Sequence, residues 1–375
     1  MTILASPPKQ PTAANPELLF REARQRRRRR WLVAGIVVVV FIVAVSSIVL
    51  LGRTAGPGTP TRGTSRVPTP LTTVNPLPKR MVIVDLAVSQ ELEVISSTSG
   101  HALRHLTSAA GTYDGTTHAS VTPSGTVYFD HPGRVDNGPS SQIWSIPLSG
   151  GPTAFVAYGH NPVVSPDGKL VAYLTWTALT NAPASVEVMN IANGATSTWS
   201  YSTNIPEVSD ISWAPNSQSF VFTTSTPTRT SWTDGAWSVA LSSPNRSLDA
   251  AQPIRLLANA FWVGYVSSTQ AMEVLVHRNF LDQGDWFQPI EMDVATGQVA
   301  KRLPILAGQT DNPANASGQW QIDPSSHYVA FIQQRSLPNG AGTVSDLYRW
   351  SIDASPGRPT IVKRDVWCPA WVPGS

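Results

Sequence analysis

The chain has 375 residues, with 14% charged residues, 32 prolines and 13 tryptophans; so few charges beside so many prolines and indoles fit a loop-rich β protein rather than a helical one. The net charge of +3 is unevenly spread: residues 1–30 carry eight Lys/Arg against Glu17 and Glu22, residues 52–80 carry five and no acid, and the chain from Met81 onward is acidic. An acidic main domain argues against a nucleic-acid role, and a single cysteine, Cys368, excludes an intramolecular disulfide and a cysteine-based zinc cluster.

The N-terminal 1–30 is a basic tail. It is followed by Trp31–Leu51, WLVAGIVVVVFIVAVSSIVLL, which has no charged residue. As a helix this run would span about 30 Å, the thickness of a bilayer's hydrocarbon core. Seven arginines precede it (Arg21, Arg24 and Arg26–Arg30), against Arg53, Arg62 and Arg66 after it. The asymmetry predicts one transmembrane helix with the N-terminus in the cytoplasm and the rest extracytoplasmic. A cleaved signal peptide is the alternative, but its apolar core would be shorter and followed by a small-x-small site. Residues 52–80 contain six Pro and seven Thr and read as an extended stalk.

From residue 81 to 375 one pattern recurs. An apolar residue is followed by Pro or Ser, then a turn pair, then an alternating apolar strand. Val121-Thr-Pro123-Ser-Gly125 leads into Thr126–Asp130, and Val164-Ser-Pro166-Asp-Gly168 into Lys169–Thr175. Trp213-Ala-Pro215-Asn-Ser217 leads into Gln218–Thr224, Tyr265–Thr269 into Met272–His277, and Ile322-Asp-Pro324-Ser-Ser326 into His327–Gln333. Trp371-Val-Pro373-Gly-Ser375 repeats the opening once more. The anchors at 123, 166, 215, 268, 324 and 373 lie 43 to 56 residues apart, the length of one four-stranded propeller blade. Proline ends one strand because it cannot donate to the ladder, and the turn pair closes a hairpin. Third strands are predicted at Gln142–Pro147, Val186–Ile191, Ala236–Leu241, Phe287–Val294 and Leu347–Asp353. Pro289 predicts a bulge or a shifted boundary in the fourth of these.

Met81–Leu86, Leu92–Ser97 and Ala102–Thr107 read as the second, third and fourth strands of a blade with no first strand before them. Val366–Pro373 is a first strand with nothing after it. Pairing them gives an all-β, six-bladed propeller closed by its N- and C-terminal strands, which hides sheet edges that an open array would expose.

Ser165-Pro166-Asp167-Gly168-Lys169-Leu170-Val171-Ala172-Tyr173 resembles the signature of the TolB-type, WD-repeat-like propeller family. So do Trp213–Ser217 with Phe220-Val-Phe222, and Gln142-Ile-Trp-Ser145 with its Gly-Gly turn. The resemblance covers about 81–375. It implies the propeller fold, which in that family serves periplasmic scaffolds, propellers of prolyl-oligopeptidase-like peptidases and surface binding proteins. TolB's additional α/β domain has no counterpart here; the apolar run and stalk stand in its place.

No nucleophile elbow, His-Glu-x-x-His or P-loop appears. His101 and His105 flank a strand without a carboxylate at metal-ligand spacing, and His327 takes the turn position held by Lys169 and reads as structural. Asp282 and Asp285, in FLDQGDW, could serve acid–base work, although they match no calcium loop. Trp176, Trp232 and Trp286 fall in predicted loops, where an indole can stack on a sugar or peptide; packing between blades is the competing reading. These five residues are the candidate binding site, and no cofactor or metal is expected. The sequence therefore reads as a membrane-anchored, extracytoplasmic propeller that binds a protein or polysaccharide without catalysis. The alternative is a channel-sited lyase or hydrolase.

Overall fold

The computed structural model describes residues 79–375 except 87–90, 108–117, 132–140, 177–182, 202–206, 226–234, 244–245, 255–259, 268, 279–284, 304–305, 308–319, 337–342 and 354–357. The tail 1–30, the apolar run Trp31–Leu51 and nearly all of the stalk lie outside the described residues. Among the described residues no helix is long and apolar enough to cross a membrane. The propeller begins slightly earlier than the sequence suggests, because Arg80 already pairs with Ser96.

Six antiparallel sheets follow one another around a ring. Blade 1 contains Arg80–Asp85, Glu91–Ser96 and Ala102–His105, with Val366–Trp371 as its inner strand. Blade 2 runs from the centre outward through Ala119–Val121, Thr126–His131, Gln142–Pro147 and Ala154–Tyr158. Blade 3 uses His160–Val164, Leu170–Trp176, Pro183–Asn190 and Thr196–Ser200. Blade 4 uses Glu207–Trp213, Ser219–Ser225, Gly235–Ala240 and Gln252–Ile254. Blade 5 uses Ala260–Tyr265, Gln270–Arg278, Asp285–Asp293 and Val299–Arg302, with Leu306–Ala307 also on its third strand. Blade 6 uses Trp320–Ile322, Tyr328–Ser336, Thr343–Ser351 and Thr360–Lys363. The inner strands neighbour one another in this order, and that of blade 1 returns to that of blade 2.

The repeated turn has the same hydrogen bonds in four blades. The residue before the proline donates to the start of the next strand: Thr122 to Thr126, Ser165 to Leu170, Ala214 to Ser219 and Asp323 to Tyr328. The turn's last residue has positive φ, at Gly125 and Gly168 but also at Ser217 (58°) and Ser326 (63°). A Cβ on Gly168 would stand 2.7 Å from Pro123 of the preceding blade, so glycine there permits close approach between blades. Pro289 makes no bulge against the second strand: it pairs with Val274 in unbroken register. On its other side it falls between the two short partner strands of blade 5, where its missing N–H interrupts no ladder.

The core lies between blades. Val82, Leu92, Phe129, Cys368 and Ala370 join blades 1 and 2; Met81, Ile83, Ala330, Leu347 and Trp371 join blades 6 and 1. Two tryptophans tie inner strands together. The Trp213 indole N–H donates to the Val163 carbonyl at 2.8 Å, and Trp371 to Gln321 at 3.1 Å.

Closure follows the expected pairing. Met81 opposes Trp371, Val82 opposes Ala370, and Asp85 opposes Val366, with a bulge between. Polar contacts reinforce the seam. Lys363 of blade 6 reaches Asp85 at 2.8 Å and Glu93 at 2.9 Å, both on blade 1, and these carboxylates are almost wholly buried. The Lys363→Met variant removes their shared cation while keeping the apolar stem. It is expected to lower unfolding free energy by about 3 kcal/mol, measured by urea denaturation near neutral pH. An unchanged midpoint would show that the seam does not rely on this cluster.

Candidate functional site

The six inner strands enclose a cavity of about 250 Å³. At one end its lining includes Pro123, Pro166, Pro215 and Pro324, all exposed. Trp213, Trp262, Trp320 and Trp371, each about 4–5% exposed, contribute to the wall. Tyr265 does so as well, and its hydroxyl lies 3.2 Å from Ser238 Oγ.

The polar residues occupy a second level. His118, Asn161, Asp210 and Cys368 line the cavity, and each stands five residues before its blade's proline. On an extended strand that is roughly 16 Å. The inner strands are irregular at this level. Register shifts fall between His160 and Val163, between Val208 and Asp210, and in the pairing that contains Cys368. Asn161 and Cys368 also have positive φ, 53° and 58°. Bulges of this kind re-aim side chains, which explains polar groups at the centre of otherwise apolar strands.

Asp130, on the second strand of blade 2, organises this level. It accepts the backbone N–H of His118 at 2.8 Å and that of Asn161 at 3.1 Å, and lies 3.2 Å from His118 Nδ1. The Asn161 side-chain amide donates to Asp210 at 3.3 Å. Three adjacent blades are thus linked through one hydrogen-bonded group.

Burial acts first on these groups and is offset differently at each. It would raise the Asp130 carboxyl, but the bonds and charge from His118 and the Asn161 amide hold it down at about 2. Burial alone would lower His118; its bond to Asp130 and the nearby charges of Asp130 and Asp210 raise it instead. His160 is left neutral, pushed down to about 4 by burial. Burial pushes Asp210 up to about 7, against the pull of His118 and Asn161. The Cys368 thiol is raised by burial and by the charge of Asp130. An Asp–His pair beside a carboxyl that titrates near neutrality can hold and move protons. Among the described residues no group of three or more His, Cys, Asp and Glu side chains is placed to hold a metal ion.

The sequence-derived candidates lie elsewhere. Trp176, expected in a loop, ends the second strand of blade 3 opposite Pro183. Trp286 and Asp285, also expected in a loop, begin the third strand of blade 5 opposite His277 and Arg278. These strands extend further than expected because both partners continue the ladder. Trp232 and Asp282 lie outside the described residues. Trp176 and Trp286 sit at the blade ends opposite the proline rim. His105 does have carboxylate neighbours, Glu91 and Glu93, each at 3.1 Å across its own blade. His327 is held in its turn, its N–H donating to Asp323.

Neither a family model nor a curated protein sequence matches the chain. Among solved structures, TolB from Acinetobacter baumannii is similar with a TM-score of 0.55 and 14% identity, over 78% of this chain and 66% of that one. The chain thus spans just under two thirds of TolB's length. Oligogalacturonate lyase from Vibrio parahaemolyticus has a TM-score of 0.41 at 11% identity, covering 76% and 71% of the two chains. The propeller domain of Cps50 (Swd1) from Myceliophteria thermophila also has 0.41, at 9% identity over 66% and 71%. The likeness to TolB is one of fold, and the sheets of this chain are those of an all-β, six-bladed propeller.

Asp210 supplies a test of the electrostatics. Its folded pKa lies above the unfolded value, so its contribution is fully present below about pH 4 and is lost as pH rises through 7. Asp210→Asn keeps the acceptor for Asn161 and removes the charge. The variant should melt close to wild type near pH 4 and above it near pH 8, by thermal denaturation. A pH-independent difference would mean that Asp210 does not titrate in this range.

Proposed function

We propose that the chain is a membrane-anchored, extracytoplasmic propeller whose channel binds a protein segment or cell-envelope polymer without chemistry. The observation that carries this reading is the cavity open between exposed prolines and walled by indoles. Concave, largely apolar sites with a few polar groups are where ligands bind, and loops on a rigid scaffold deliver the contacts. Ser212, partly buried on the cavity wall, permits a direct test. Ser212→Trp would fill the channel while leaving the core residues in place. Affinity capture of envelope components by the full-length protein in detergent should fall at least tenfold in this variant, with little change in melting. Equal capture by both forms would move the binding surface away from the channel.

The anchor belongs to the same proposal. It rests on the uncharged run Trp31–Leu51 and on the excess of arginines before it. A cysteine at Thr61 reports topology cleanly, because Cys368 is buried and its thiol is raised. Thr61→Cys should react with a membrane-impermeant maleimide in intact cells. Labelling confined to lysed cells would reverse the orientation.

A channel-sited enzyme is the second reading, favoured by one observation: Asp130 orients His118 beside Asp210, an arrangement suited to proton transfer. Turnover of a polysaccharide or peptide, abolished by His118→Ala and retained through repurification, would select it.

A further inference from the structure

The charge balance of the cavity points to the kind of group it receives. Among the described side chains that line it, no lysine or arginine is present, and the carboxylates are Asp210 and Asp323. Asp323 is engaged by its own turn, accepting backbone N–H groups from Ser325, His327 and Tyr328. Asp130, behind the wall, is matched by His118. With both aspartates ionised, one imidazolium faces two carboxylates, and the centre of the channel carries an excess negative charge. Asp210 receives the Asn161 amide at 3.3 Å, a neutral donor that leaves that excess in place. A cation would remove it.

The walls suit an organic cation better than a bare inorganic ion. No metal-ligating group forms among the described residues, whereas Val163, Ile211, Trp213, Trp262 and Trp371 present apolar and aromatic surface to the same cavity. Indoles attract organic cations through their ring faces, and an unbranched alkyl stem can lie along apolar walls with its charged tip on a polar group.

We infer that the channel receives an alkylammonium group, its positive end at Asp210 and its stem along the apolar wall. This rests on the channel being the binding site, as proposed above. About 16 Å of strand separates Asp210 from the proline rim. A five-carbon amine fits inside that length, whereas a lysine side chain reaches Asp210 only when carried on an inserted segment. The groups that face Asp210 set the pH response. They are His118 of blade 2 and Asn161 of blade 3; Asp130 and His160 lie behind them and act on His118, and Cys368 and Tyr265 line the same cavity. As pH rises, Asp210 gains its charge and His118 loses its own, so both changes favour a bound ammonium.

Full-length protein in detergent micelles can be titrated with n-pentylamine, followed by tryptophan fluorescence and calorimetry, with n-pentanol and sodium chloride as controls. Binding should be about tenfold tighter near pH 8 than near pH 6. It should weaken at least tenfold in Asp210→Asn, whose cooperative unfolding is retained. A lysine-containing peptide and its acetyl-lysine counterpart separate the sources. Binding of the peptide alone assigns the ammonium to an inserted partner segment, and binding of pentylamine by itself assigns it to a small amine. Absence of binding by both amine probes, equal binding to wild type and Asp210→Asn, or a matching response to pentanol or salt would overturn the inference. The Ser212→Trp capture experiment is read independently, so a partner still excluded by that plug while the amines fail would leave the binding proposal standing.

Discussion

Everything in this molecule depends on one backbone pairing, that of Val366–Trp371 with Arg80–Asp85. Without it blade 1 would present an unpaired edge at the centre of the ring, and the hydrophobic groups shared by blades 6, 1 and 2 would each lose a wall. Backbone bonds at both ends secure the pairing: Leu86 donates to Asp365 and Lys79 to Ser375. Lys363 then ties the last outer strand of the ring to the two buried carboxylates of its first blade. The channel, its bulges and its polar level are geometric consequences of six inner strands held in a closed circle.

The polar level is the one place where this β architecture departs from a simple apolar design. Four side chains with different preferences for charge share a small buried volume, and each environment drives its group in a different direction. Asp130 keeps its charge because two backbone amides and an imidazole serve it. Asp210, with a single side-chain amide, resists ionisation. The difference between them comes from the number of donors. Such separation of neighbouring carboxyls is common where a protein handles ligands or protons, though structural networks produce it as well.

Much of the fold was legible in the sequence. The proline-turn-strand repeat located the blades because five of its six anchors are prolines, which offer no N–H, and four of the turns close on a left-handed residue. The closing strand was legible because an incomplete blade at one end matched a lone strand at the other. Element limits were less so. Blade 5's longer strands absorbed Trp286 and Asp285, since hairpin length depends on partner pairing that no local pattern records. The site was not recognised, although its signal was present. His118, Asn161, Asp210 and Cys368 share one register position, five residues before the proline. Aligning the repeats on their anchors, rather than scanning for motifs, would have placed these residues on one ring. What the motif scan did not reach is Asp130, which enters from the second strand and is set opposite His118 by the hairpin register that pairs Ala119 with Phe129.

The order in which the strands are made also matters. Arg80 and Ser375 meet across 295 residues, and bringing such distant segments together costs about 5 kcal/mol in chain entropy beyond a constant. During synthesis, blades 2 to 6 and three strands of blade 1 exist before Val366–Trp371 emerges. Throughout that interval the strand Arg80–Asp85 offers a vacant, apolar edge to any other extended chain nearby. Production of this protein is therefore a race between delivery of its last strand and capture of that edge by a neighbour. A crowded site of synthesis would raise the stakes, and a chaperone able to shield one strand edge would serve this fold better than one that unfolds collapsed intermediates.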